Sequence, residues 1–484
     1  MTTTTALPTA ARAGKSAAAP IRSEWASTIM DRTPRDGTPA TFAAAVPRRA
    51  SAATTPPERS FGTFVAALPR VFQTVTTDFR RHEYAFALLI VTAIGLVVVP
   101  DLITYLTVEH EPILPPGEAT TSADLPIAQL ASLGGSALLL ALSSAVVFMR
   151  GYPNRDITGV VLLLLAVNLP YVVSPKLPPV VDFPKIILAN VFMLALWKVG
   201  APIAGLKWVP MTVAAIASYS LIGGLLIPGY AMYNIDSEKA IIPGWELAGP
   251  FGHANVLGMY CALALALTPL ITDRRWRLLV GSILFVTIVA SASRTALIAT
   301  GLVVLWWLIC WFKSFISIRL AGTVLVSVSA TTMFVIPLMP WDPSAFTERA
   351  HVWAESLRVW QQSPAVGMGV NWFLDDAQAV GNIAKWAFVG TGHNMIVDTL
   401  VKSGLVGIAV LVPLILAALA TTRALRVTSQ QIACFGFLMA FFLAATTEAV
   451  WALLPNLQLF PISGLVFAVL IVTRRDHQVP DGPQ

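Results

Sequence analysis

Between residues 84 and 473 the chain is a succession of apolar runs, each long enough to cross a bilayer and each parted from the next by a polar or Gly/Pro-bearing segment. The runs fall at about 84–106, 127–149, 157–173, 185–204, 208–228, 254–271, 276–293, 295–315, 319–340, 394–420, 431–448 and 457–473. A spanning helix needs roughly 17–25 predominantly apolar residues, so the pattern predicts an all-α polytopic membrane protein with about twelve transmembrane helices. The seventh and eighth runs are parted only by Ser293-Arg294. Charged residues make up 12% of the 484, about half the roughly 25% of a soluble domain.

The ends differ from the middle. Residues 1–60 are rich in Thr, Ala, Pro, Ser and Arg without an apolar period, a composition that buries too little surface to offset the entropy of ordering; a disordered tail is expected. Over 61–83 the apolar residues Phe61, Phe64, Val65, Leu68, Val71, Phe72 and Val75 recur at helical spacing before Arg80 and Arg81, which reads as an interfacial amphipathic helix interrupted by Pro69. Residues 84–473 form the membrane domain and 474–484 a short C-terminal tail.

Loop charges set the orientation. With the N-terminus cytoplasmic, every inside loop carries Lys or Arg, among them Arg150 and Arg155, Lys198 and Lys207, Arg274, Arg275 and Arg277, and Arg474 and Arg475. The first outside loop, 107–126, carries four acids and no Lys or Arg. This is the positive-inside pattern, and it predicts a multi-pass cell-membrane protein with both termini cytoplasmic. The net charge of +6 is thereby explained by orientation in a lipid bilayer, without nucleic acid. Cys261, Cys310 and Cys434 all fall inside apolar runs, so neither a disulfide framework nor a metal site is expected. No phosphate-binding or dinucleotide loop motif occurs, and no cofactor is expected.

On this map the longest polar interval, 341–392, lies outside as a large loop between the ninth and tenth helices. Arg294, in SASRTALIA, has no polar loop beside it, and an ionisable residue at a membrane edge is a functional candidate by default. Arg349 opens RAHVWAESLRVW, which reads as a short amphipathic helix with Trp353 near the same face; a guanidinium favours bidentate phosphate recognition, while His351 and Arg358 read as solvated. His393 precedes Asn394 where the loop re-enters the apolar region, placed to take a proton from a hydroxyl. Asp398 and Lys402 follow at a spacing that lets them pair. His253 and Asn255, at the start of the sixth run, and Trp245 and Glu246 before it, are candidates for lining a sugar site.

Four segments in order resemble the O-antigen ligase / O-antigen polymerase superfamily: GPFGHANVLGMY, SASRTALIA, RAHVWAESLRVWQQSPAVGMGVNWF and HNMIVDTLVKSGLVG. The resemblance covers roughly 240–410, with Ala254 standing where the family often has Pro. It implies a C-type (GT-C) glycosyltransferase-like fold and a metal-independent, inverting transfer from a polyprenyl-diphosphate-linked glycan to an envelope acceptor. It further implies that His393 is the acceptor-activating base and that Arg294 and Arg349 bind the diphosphate. Trp353, His253, Asn255, Asn394 and Trp245 are then expected around the substrates. A polymerase of lipid-linked repeats uses the same motifs and stays open, as does a transporter of lipid-linked sugars, although internal repeats are not evident.

Overall fold

The computed structural model describes residues 61–109, 125–149, 157–175, 183–200, 202–234, 245–312, 315–375, 390–450 and 460–473, with backbone alone over 61–81, 233–234 and 374–375. The expected tails 1–60 and 474–484, and 376–389 of the large loop, lie outside these residues. The chain divides into Met1–Phe64 and Val65–Gln484. Of the first unit only the helical turn from Phe61 is described; the membrane domain lies in the second.

The helices in order are α1 Phe61–Thr107, α2 Pro126–Phe148, α3 Ile157–Val172, α4 Phe183–Val199, α5 Trp208–Leu226, α6 Pro228–Ala231, α7 Ala254–Ala266, α8 Arg274–Ala290, α9 Arg294–Trp311, α10 Ile318–Val335, α11 Arg349–Trp360, α12 Trp372–Asp375, α13 Met395–Ala424, α14 Thr428–Ala444 and α15 Gly464–Val472. A two-stranded antiparallel ribbon, β1 Met232–Asn234 and β2 Trp245–Leu247, pairs Asn234 with Trp245.

Six stretches among the described residues are long and apolar enough to cross a membrane: 82–107, 126–148, 203–226, 294–311, 318–338 and 395–424. The protein is a multi-pass membrane protein. Each of the twelve expected runs meets a helix, but only six of them fall on these stretches: Ile157–Val172, Ala254–Ala266 and Thr428–Ala444 are shorter apolar helices, α4 and α8 have 17 residues each, and α15 has nine. The α7 run is cut short where Pro269, which offers no backbone N–H, turns it into a single 3-10 turn at Thr268–Leu270. The expected interruption at Pro69 is absent, for α1 runs through it as one helix. A proline removes one ladder bond and bends a helix without ending it when the flanking turns are made.

Burial separates two kinds of helix. Along α8, α9 and α10, Leu279, Phe285, Ile298, Leu305, Trp311, Leu320 and Val328 are exposed, a surface of large apolar side chains suited to lipid rather than water. In α14, by contrast, every residue from Ala433 to Phe442 is buried. A helix apolar on all sides belongs in a core, and α14 packs against α7, α9 and α10. Trp306 of α9 fixes one of these contacts, its ring edge-on to Phe435 and its N–H donated to the Ile432 carbonyl at 2.9 Å.

Candidate functional site

The turn that follows α14, residues 445–448, is where the motif segments meet. Its Ala445 carbonyl accepts the Met395 N–H at 3.0 Å, and its Thr446 carbonyl accepts the Asn394 side-chain amide at 2.9 Å. The Thr447 hydroxyl shares a 2.9 Å hydrogen bond with Thr295. Glu448 closes the turn, with one carboxylate oxygen paired to Arg349 Nη2 and the other 3.8 Å from His393 Nδ1.

A compact helix–turn–helix carries Arg294 next to Thr295, the residue that bonds to this turn. Helix α8 ends at Ala290, and Ala292 adopts a left-handed φ of 51°. The Ser293 hydroxyl then caps α9 by accepting the Ala296 N–H at 3.4 Å, which makes Arg294 the first residue of α9 and the neighbour of Thr295. Arg294 is exposed and makes no ion pair or hydrogen bond with the described residues. Helix α7 packs onto the same turn because position 258 is glycine: a Cβ there would lie 2.6 Å from the Ser291 hydroxyl and 2.8 Å from Ser293 Cβ.

Arg349 is placed by an unusual lead-in. Phe346, Thr347 and Glu348 all have positive φ, 56°, 59° and 67°, a run that costs roughly 1–2 kcal/mol per residue for L-amino acids. Ring packing holds it: Phe346 sits 5.0 Å from Trp341 and 5.2 Å from Trp353, centroid to centroid. Trp353 is fully buried and donates its indole N–H to the His393 carbonyl at 3.3 Å. It therefore braces the His393 turn from below.

His393 itself has a left-handed φ of 47°, uncommon outside glycine and enriched where a backbone is functionally constrained. The residues on either side hold it there. Gly392 N–H donates to Asp398 Oδ1 at 3.1 Å, and Asp398 pairs with Lys402 at 2.8 Å, the pairing their spacing predicts. Asn394, completely buried, caps α13 by accepting the N–H groups of Ile396 and Val397 at 2.8 and 3.1 Å. Its amide also donates to the Met333 carbonyl at 3.1 Å, tying α10 to the turn. The polar atoms of Asn394 are thus engaged in holding the site together.

The outlying candidates fall into place unequally. His253 caps α7, its Nδ1 accepting the Asn255 N–H at 3.0 Å. Asn255 occupies the first turn of α7, half-buried. Trp245 lies on β2, half-buried against the main core. Arg358 pairs with Glu355 at 2.7 Å on the exposed face of α11.

Glu448 is the residue that sequence reasoning passed over. Burial alone would raise its carboxyl, but His393, the Arg349 guanidinium and His253 outweigh that and hold it below the usual carboxylate range. The site therefore contains a carboxylate between the Arg349 guanidinium and the His393 imidazole, with the Arg294 guanidinium, unpartnered among the described residues, one residue from the Thr295–Thr447 bridge. It can bind an anion at Arg294 and move a proton at His393.

No curated protein matches the chain. Residues 279–412, which run from α8 into α13 and carry Arg294, Arg349, Trp353, His393 and Asn394, match the family model for O-antigen ligase, and over this segment the chain is similar to the glycosyl-transferring membrane proteins of the O-antigen ligase/polymerase superfamily.

Proposed function

We propose that the protein transfers a glycan from a polyprenyl-diphosphate carrier to an acceptor hydroxyl of the cell envelope, on the extracytoplasmic side of the cell membrane, with both termini cytoplasmic. The observation that carries the reading is that residues 445–448 bond both to Thr295, the neighbour of Arg294, and to the His393 turn, while Arg294 is unpartnered among the described residues. Arg294 binds the donor diphosphate, where a guanidinium matches phosphate oxygens bidentately. His393 takes the proton of the acceptor hydroxyl. The acceptor oxygen then forms a bond to the anomeric carbon, the anomeric carbon–phosphate oxygen bond breaks, and its electron pair leaves with the prenyl diphosphate. One displacement inverts the anomeric centre. Donor and acceptor supply everything consumed, so no nucleotide is needed. Ligase and polymerase share this step and differ in whether the acceptor is itself carrier-linked.

Deletion of the gene tests this in cells. A null strain should accumulate polyprenyl-diphosphate-linked glycan, measured by mass spectrometry of extracted lipid. The wild-type protein should clear the pool, while Arg294→Ala and His393→Ala, each made at normal level, should leave it in place. Loss of a general base or of a charge clamp lowers rate by about 10²–10⁴-fold. A null strain with an unchanged carrier-lipid profile would remove the transferase reading.

A further inference from the structure

We infer that Glu448 is the positioning carboxylate of the base: it holds His393 in the tautomer with the proton on Nδ1, leaving Nε2 as the proton acceptor, and Arg349 acts through Glu448 rather than on the donor diphosphate. The inference rests on the transfer reading above and divides the labour of the two arginines, which the sequence resemblance treats alike.

The two oxygens of Glu448 have different neighbours. Oε1 receives Arg349 Nη2, and Oε2 faces His393 Nδ1 at 3.8 Å. That second separation is short for a charge contact and too long for a hydrogen bond. His393 Nδ1 is a buried nitrogen without a hydrogen-bond partner among the described residues. An unpaired buried polar group costs about 1–3 kcal/mol, so closing the last ångström onto Oε2 is favourable, and catalytic hydrogen bonds commonly tighten when substrate arrives. The titratable groups facing Glu448 are Arg349 from α11, His393 from the turn before α13 and His253 from the start of α7. Together they keep it an acceptor at neutral pH.

The backbone keeps the carboxylate where it is. Residues 445, 446 and 447 are each hydrogen-bonded to a residue of a motif segment, so Glu448 is carried on a cross-linked turn. Arg349, at the end of the left-handed lead-in, is correspondingly fixed. A guanidinium engaged with a resident carboxylate is a poor first binder of a phosphate, whereas Arg294 has no such partner among the described residues. In catalysis the proton from the acceptor hydroxyl goes to His393 Nε2, and Glu448 stabilises the imidazolium that results.

The test uses the full chain in detergent, with the carrier-linked glycan extracted from the null strain as donor. In Glu448→Gln, Arg349 should keep the amide oxygen and turn the amide NH₂ toward His393, which forces the proton from Nδ1 to Nε2. Imidazole ¹⁵N NMR of His393 should therefore show an Nδ1–H ring in the wild type and an Nε2–H ring in the variant. The kcat should fall by about 10²-fold or more with donor KM within about twofold. Arg349→Ala should share this kcat signature, while Arg294→Ala should raise donor KM. The same tautomer in wild type and Glu448→Gln, or a raised donor KM with unchanged kcat in Arg349→Ala, would overturn the inference. If Glu448→Gln does not fold, Glu448→Asp decides: Nδ1–H retained with less than about tenfold loss supports it, and a loss equal to that of His393→Ala overturns it. Wild-type protein inactive on this donor would sink the transfer reading, while the tautomer on the resting protein would still decide the place of Glu448.

Discussion

Glu448 and Asn394 do opposite kinds of work around one turn. Asn394 offers no free polar atom: it caps α13 and satisfies carbonyls of α10 and of the turn after α14. Asn394→Ala removes a cap, worth about 1 kcal/mol, and strands two buried carbonyls at about 1–3 kcal/mol each. A drop of roughly 3–7 kcal/mol in chemical-denaturation stability is expected, with Asn394→Asp intermediate because it keeps the cap acceptor; wild-type stability in Asn394→Ala would contradict the assignment. Glu448 is instead a charge held ready. Its carboxyl is lowered in the folded protein, so the stabilisation is fully present above the ordinary carboxylate value, about 4.3, and is lost as pH falls through the depressed value. The thermal midpoint should be flat from pH 7 to 5 and fall in more acid solution, and the fall should be smaller in Glu448→Gln; equal falls would contradict the linkage. His393 and Arg294 were legible as ionisable residues where an apolar chain should have none. By that same criterion Glu448 was legible too, standing at the end of the run 431–448. Its partnership was not, because it lies far along the chain from both Arg349 and His393 and only the return of α14 brings it back.

At the scale of elements, α13 is two helices joined at a break. Gly404 has φ 62° and ψ −155°, and the loop after α11 fills the gap. Leu405 and Val406 donate their N–H groups to the carbonyls of Pro364 and Ala365 at 2.9 and 3.1 Å, and Met368 N–H reaches the Val401 carbonyl at 2.6 Å. Both loop and break require glycine. A Cβ on Gly367, at φ 74°, would lie 2.6 Å from the Val401 carbonyl oxygen, and one on Gly404 would lie 2.4 Å from that of Ala365. Backbone-to-backbone contacts of this kind cannot be relieved by a side-chain rotation. Gly404→Ala and Gly367→Ala should each lower the thermal midpoint by several degrees and reduce transfer through the displaced His393 turn, whereas Gly301→Ala, with open space around it, should match wild type. Midpoints unchanged in the first two would refute the junction. The Pro-x-x-Gly-x-Gly and Gly-x-x-Gly signals were both visible in the sequence. That each exists to accommodate the other was not, since local spacing carries no information about which backbone a glycine must admit. The break also means that residues 405–424 alone rise about 30 Å, the thickness of the hydrocarbon core, and frees Met395–Ser403 to belong to the site rather than the span.

For the whole molecule, hydropathy located the helices well and their ends less well, because caps such as Asp273, Ser293 and Ser317 and prolines set the ends. Packing was less visible still: nothing in a uniformly apolar run distinguishes α14, buried on all sides, from α9, with one face open. The proposed orientation puts 341–392 outside and the Arg274–Arg277 turn inside. All three native cysteines are buried, so single cysteines introduced at exposed Gln361 and Arg275 should report it. A membrane-impermeant maleimide applied to intact cells should label Gln361→Cys and spare Arg275→Cys; the reverse would invert the map. The most direct test of the central claim is prenyl diphosphate release by the reconstituted full chain, given the null-strain carrier-linked glycan and an extract of envelope acceptor. Release should match glycosylated acceptor one for one in the wild type and fall by at least about 10²-fold in His393→Ala. Movement of the intact carrier-linked glycan across the liposome membrane without release, equal in wild type and His393→Ala, would contradict it.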